Sequence, residues 1–173
     1  MRYLLLFLFF PLFAQAQTPI STFPNDWMGD WYGKMTIYNA KGKAQELNME
    51  LHLAPTDSSD RWQWTLVYEV DTVRDERKYE LVAKDASIGH YVIDEKNSIL
   101  LDSYLYSNVL TSRFSVNNSL LIVNYTFHAD RIEFQILVGG LDKVITTGEE
   151  VEEVESILSY PMSAMQRSTL YRR

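Results

Sequence analysis

Cysteine is absent from all 173 residues. No disulfide can form, so the chain must be held together by its core alone, although small exported domains often rely on cross-links. Nor is there a thiol after the N-terminal apolar run to carry a lipid anchor, which excludes a lipoprotein. Basic residues are scarce: 16 Lys and Arg stand against 23 Asp and Glu, a net charge of −7. Arg167, Arg172 and Arg173 form the basic cluster of the chain. A nucleic-acid binder needs a basic stripe interleaved with aromatics. This chain would instead repel phosphate backbones and anionic membrane surfaces, and its acidic balance mainly favours solubility. After residue 16 no stretch is long and apolar enough to span a bilayer, which takes about 20 residues.

The first sixteen residues have the layout of a cleavable secretory signal. Arg2 gives a positive start, Leu4 to Phe13 is an apolar run broken by Pro11, and Ala14-Gln15-Ala16 supplies a small-x-small cleavage pattern. The apolar run, at about ten residues, is too short for a transmembrane helix. Cleavage after Ala16 would leave a leader over residues 17–28 and a domain over 29–173, exported to a periplasm or to the extracellular space. Losing Arg2 would take the net charge to −8. A chain of that size suits one domain and can bury roughly 68–70% of its unfolded surface. The sequon Asn124-Tyr125-Thr126 falls in an expected strand and is read as incidental.

Strand-period alternation runs through the domain. Leu47, Met49, Leu51 and Leu53 alternate with Glu46, Asn48, Glu50 and His52. Trp62, Trp64, Leu66, Tyr68 and Val70 alternate with Arg61, Gln63, Thr65 and Glu69, and Ile132, Phe134, Ile136 and Val138 repeat the pattern. Successive strand side chains face opposite ways, so each segment has one apolar and one wet face. Further extended runs span 31–38, 76–83, 89–94, 98–106, 109–116, 119–127 and 162–171. Turn-like residues separate them, and Asn117-Asn118 suits a two-residue hairpin because Asn tolerates positive φ.

About ten short strands on short loops predict an all-β, antiparallel up-and-down meander. Closure into a barrel would remove its free edges; two packed sheets are the alternative. Residues 147–160 stay open between a helix, with a capping-box-like Thr147-Gly148-Glu149-Glu150 and Val151, Val154 and Leu158 on one face, and an extended acidic loop.

Gly29-Asp30-Trp31, extended as Gly29-x-Trp31-x-Gly33, resembles the opening signature of the lipocalin-like (calycin) barrels. The resemblance implies that Trp31 closes one barrel end under an Arg from a late strand, and Arg167 is the residue that would match. A guanidinium stacked on an indole can close a barrel while keeping its charge hydrogen-bonded. The loop near residues 39–45 is too short for the helical lid of fatty-acid-binding proteins, and the last strand lacks their Arg-x-Tyr spacing. Relatives of the haem-binding nitrobindin type have a further Gly where Met35 stands here. Neither ligand carries over.

His52, His90 and His128 are not paired at metal-ligand spacing, and no Gly-x-Ser-x-Gly elbow or phosphate loop occurs, so no metal or cofactor is expected. Acidic residues are numerous enough for a carboxylate pair, but spacing along the chain does not assemble one. Aromatics make up 13% of the chain and suggest a lined interior. Trp62, Trp64 and Tyr68 share a presumed inner face with Met35 and Ile37; Arg113 is added as a candidate cation for a ligand if it points inward, the favoured alternative being an outward surface charge. The function expected is binding of a small apolar or amphipathic molecule inside an exported barrel. The alternative is a filled barrel acting as an interaction or accessory protein of the cell envelope, and an enzyme using paired carboxylates is a third reading.

Overall fold

A computed structural model describes residues 22–148 and 155–173. Its strands begin with β1 (Gly29–Asn39), β2 (Gly42–Pro55), β3 (Arg61–Val70), β4 (Val73–Asp85) and β5 (His90–Asp94). The meander continues through β6 (Leu100–Tyr106), β7 (Val109–Val116), β8 (Ser119–Phe127) and β9 (Arg131–Gly140). β10 (Ile145–Thr147) and β11 (Ile157–Ser159) pair only with each other, and β12 (Met162–Arg172) inserts between β9 and β1. Ten antiparallel strands thus form one closed barrel, in place of the two-sheet alternative.

Turn chemistry fixes the hairpins. Asn117 and Asn118 have φ of 47° and 60° and join Val116 to Ser119 in register, as a primed two-residue turn requires. The helical alternative over 147–160 fails at its described ends. Thr147 and Leu158 are extended and belong to the antiparallel β10–β11 pair. Residues 149–154 lie outside the described part, as do residues 1–16, expected above to be a secretory signal, and residues 17–21. Among the described residues no helix is long and apolar enough to cross a membrane.

Alternation sorts side chains to the two faces of the wall. Met49, Leu51, Trp64, Leu81, Leu110, Ile132, Phe134 and Leu170 point inward and are almost wholly buried. The outer face is wet but laced by ion pairs. Arg74 on β4 grips both carboxylate oxygens of Glu50 on β2 at 2.9 and 2.8 Å, crossing β3. Val67 of β3, in register with Glu50, is fully buried on that outer face.

The two barrel ends differ. Residues 22–28, assigned above to the leader, pack into the end where β1 starts and β12 finishes. Phe23 meets Tyr91 and Phe127 with ring centroids 5.1 and 5.0 Å apart, and Trp27 meets Phe127 at 5.2 Å. The indole N–H of Trp27 donates to the carbonyl of His128, and that of Trp31 donates to the carbonyl of Trp27, both at 2.9 Å. Aromatic rings therefore fill this base, and both indoles have their N–H satisfied.

Candidate functional site

The opposite half of the interior is not filled. A cavity of about 250 Å³ opens towards the end bearing the β3–β4, β5–β6 and β7–β8 turns. Trp64, Tyr125 and Phe134 lie on its base side, and Phe114, Val116, Leu121, Val123 and Ile136 supply apolar walls. Tyr68, Arg77, Tyr79 and Glu95 bring polar groups towards the mouth. Apolar walls with a few converging polar groups are the usual make-up of a small-molecule site.

The base side of the cavity is aromatic. Trp64 and Tyr125 meet edge-to-face, with centroids 5.0 Å apart and planes at 86°. Tyr125 also meets Phe134 at 4.9 Å. The Trp64 indole N–H is buried and has no hydrogen-bond acceptor among the described residues. Burial pushes the Tyr125 phenol well above its usual pKa, so it stays protonated.

At the mouth the Arg77 guanidinium lies 4.9 Å from the centre of the Tyr68 ring. Its Nε and Nη2 both donate to Asp75 Oδ2, at 3.0 and 2.8 Å. Burial pushes the Tyr68 phenol up to about 12. Tyr79 is also raised, first by burial and then by the negative charge of Glu95. In the cavity wall, Ser112 shares a 2.6 Å hydroxyl–hydroxyl bond with Ser103, which is completely buried.

The residues singled out in the sequence fall in different places. Trp64 and Tyr68 line the cavity. Met35 is buried in the core, and Ile37 and Trp62 pack against that core without lining the cavity. The Trp62 indole N–H is occupied by Asn25 Oδ1 at 3.1 Å. Arg113 is exposed on the outer wall. Its neighbours Ser112 and Phe114 line the interior, and strand parity turns it the other way, so it does not serve an interior ligand.

Trp31 is buried at the base, but Arg167 does not cover it. Arg167 lies 5.2 Å from the Tyr38 ring on the outer face, and Arg172 lies 4.5 Å from the Trp31 ring. The two arginines are an odd number of residues apart, so one strand cannot aim both at the same side. The interior cation that sequence reasoning missed is Arg77. Its signal was present: the apolar series Ala83, Leu81, Tyr79 continues at the same period to Arg77 and Asp75.

A larger hollow of about 810 Å³ lies on the outer face of β1, β12, β9 and β8. Lys34, Thr36, Asn124, Glu133, Gln135 and Arg167 wall it. These solvent-facing polar side chains lack the enclosing apolar walls of the interior cavity. Among the described residues, no three His, Cys, Asp or Glu side chains converge as a metal site would require.

No protein-family profile and no curated protein matches the sequence. Similarity appears at the level of folds. A protein of unknown function of the DUF3598 family from Nostoc punctiforme superposes with a TM-score of 0.59 at 10% identity, over 86% of this chain and 48% of its own. The chain therefore spans about half the length of that protein. The S-type phycobiliprotein lyase from Guillardia theta superposes with a TM-score of 0.57 at 10% identity, over 86% of this chain and 89% of its own. Identity this low bears on fold alone, and the fold shared is a closed, calycin-like antiparallel barrel.

Proposed function

We propose that this protein is an exported barrel that takes a small apolar or amphipathic molecule into its interior. The observation that supports this is the uneven filling of the barrel. Aromatic side chains plug the base, while the other half keeps a cavity of about 250 Å³ with apolar walls. That volume equals roughly eight waters at about 30 Å³ each, just below the ~300–1,000 Å³ of drug-sized pockets. The occupant is then a single ring or a short chain. The likeness to a phycobiliprotein lyase contributes a scaffold and does not name a ligand. Export rests on the N-terminal pattern of Arg2, the apolar run and Ala14-Gln15-Ala16.

Native mass spectrometry of the protein purified from its own envelope tests this. A mass excess that disappears on denaturation is the expected result, and its value begins to identify the molecule. A native mass equal to the denatured mass, together with no uptake of added small aromatics, would overturn it.

A second reading has its own observation. Val73, Ile99, Leu100, Ile145, Ile157, Leu158 and Met162, all at or beside the mouth-end strand termini and the β10–β11 pair, are large, apolar and exposed. The base end carries only Ile88, Tyr106 and Tyr171 of this kind among the described residues. Exposed apolar area concentrated at one end suits an accessory protein of the envelope that works through contact with a partner. A monomer that captures no cross-linked partner in its own envelope would count against that reading.

A further inference from the structure

The charges at the barrel mouth do not cancel. Two charged side chains line the cavity, Arg77 and Glu95. Arg77 is already engaged, since its Nε and Nη2 both donate to Asp75 Oδ2. Glu95 has no cationic partner among the described residues. Lys96, beside it in the β5–β6 turn, reaches away to Glu80 Oε1 at 2.9 Å. What Glu95 accepts instead is a neutral bond of 3.3 Å from the Asn97 side-chain amide. Asp75, Arg77 and Glu95 together leave one uncompensated negative charge.

Strand parity turns that charge towards the interior. On β5, Tyr91 and Ile93 belong to the core, and Glu95 follows them at the same period of two. The register pairs Glu80 with Asp94, which sets Glu95 beside Tyr79, another lining residue. The Tyr79 phenol responds to this neighbour: its pKa is raised first by burial and then by the Glu95 charge. Glu95 is only half-buried, so a cation held there keeps part of its hydration and avoids most of the cost of burying a charge. Behind it, Phe114, Val123 and Ile136 offer walls that suit an apolar body. An anion at the same rim would meet two carboxylates against one guanidinium.

We propose that the occupant is a small protonated amine of about eight to ten non-hydrogen atoms, with its ammonium at Glu95 and its ring or short chain against the apolar walls; this rests on the interior-ligand function above. A neutral molecule of the same shape would fill the cavity equally well but leave the carboxylate without a counter-ion. Tyr68 and Tyr79 at the mouth suit the same choice, because aromatic faces attract cations and repel carboxylates.

Three probes of similar shape separate the possibilities: phenethylamine, phenethyl alcohol and phenylacetate, each titrated into the protein by isothermal calorimetry. Nuclear Overhauser contacts from the probe ring to the methyl groups of Val123 and Ile136 should place the bound probe in the cavity. The amine is expected to bind about three- to fivefold more tightly than the alcohol, the upper range for a half-exposed ion pair. Phenylacetate should bind more weakly than either. Glu95→Gln should leave the affinity of the alcohol unchanged and bring the amine down to it. On the unaltered protein, added salt should narrow the gap between amine and alcohol. Equal binding of these two, tighter binding of phenylacetate, or an amine preference that survives added salt or Glu95→Gln would overturn the amine inference and leave an interior site standing. Failure of all three probes to bind would overturn the interior site itself, and the inference with it.

Discussion

Arg172 lies over the indole of Trp31 at 4.5 Å and donates through Nη2 to the carbonyl of Asp26 at 3.1 Å. One side chain thereby ties the last barrel strand to both the first strand and the segment that plugs the base. Cation–π contacts are worth about 0.5–2 kcal/mol, and the hydrogen bond adds a comparable share. Arg172→Ala should therefore cost about 1–2 kcal/mol in denaturant unfolding. Arg167→Ala, which releases only the half-buried Tyr38 ring on the outer face, should cost about 0.5 kcal/mol or less. Equal costs would contradict this assignment of the closing arginine.

Gly33 is a second point where β1 and β12 meet. A Cβ there would collide with the carbonyl of Thr169 and stand 3.0 Å from Leu170 Cδ2. The obstacle is backbone, which cannot turn aside as a flexible side chain would. Gly33→Ala should destabilise the barrel by about 3 kcal/mol, at the upper end of overpacking costs. Gly42→Ala, where nothing lies within 4 Å of the added carbon but φ is +108°, should lose less. Thermal melts of the two variants distinguish steric collision from backbone strain.

The Ser103–Ser112 pair makes the cost of a lost partner measurable. Their hydroxyls are 2.6 Å apart in a buried wall, and Ser103 also reaches the Leu101 carbonyl at 3.1 Å. Ser103→Ala strands the Ser112 hydroxyl and should cost about 1–3 kcal/mol. Replacing both serines with alanine should cost less than the sum of the two single changes, because no polar group is then left unpaired. A double-mutant cycle by urea unfolding gives the answer.

Stability should also depend on pH through His52, whose Nδ1 lies 2.7 Å from Asp30 and whose Nε2 lies 2.8 Å from Glu50. Burial works against its charge, but the two carboxylates outweigh that and hold the pKa above the usual 6.5. Since the folded state binds the proton more tightly than the unfolded chain, this contribution is complete below pH 6.5 and fades as pH rises through the folded value. Glu50 acts in the opposite sense. The Arg74 bond lowers its pKa below 4.5, so its contribution is present above 4.5 and is lost as pH falls through the lower, folded value. The melting temperature of the protein should therefore fall on the alkaline side of pH 6.5, and His52→Gln should flatten that limb.

Much of the wall was legible because its signal is local. Period-two alternation at Leu47–Leu53, Trp62–Val70 and Ile132–Val138 marks strands without knowledge of their neighbours, and Asn117-Asn118 announces its own turn. The Gly29-x-Trp31-x-Gly33 signature also has physical content. Gly29 adopts φ +123°, Trp31 is the buried base ring, and Gly33 admits the close approach of β12. Parity along β12 could have placed the closing arginine, since buried Ser168 and Leu170 share a face with Arg172 and not with Arg167.

The cavity was less accessible to such reasoning. Alternation says which side chains point inward but not whether they meet. Phe23, Trp27 and Phe127 fill one end from segments about 100 residues apart, whereas the same density of aromatics leaves space at the other. Arg77 was overlooked because a charged residue on a run of charges reads as surface, although Tyr79, Leu81 and Ala83 share its face.

The position of β12 between β9 and β1 has a consequence for how the chain comes into being. Nine of the ten wall strands precede it in order of synthesis, and until it is made both β1 and β9 present unpaired backbone along their length. Those two edges can pair with another chain as readily as with β12. During synthesis the growing polypeptide is thus an open, curling sheet with two adhesive borders. Keeping it solitary until residues 162–172 arrive falls to the cell, through whatever holds the nascent chain, and not to any contact within the finished barrel.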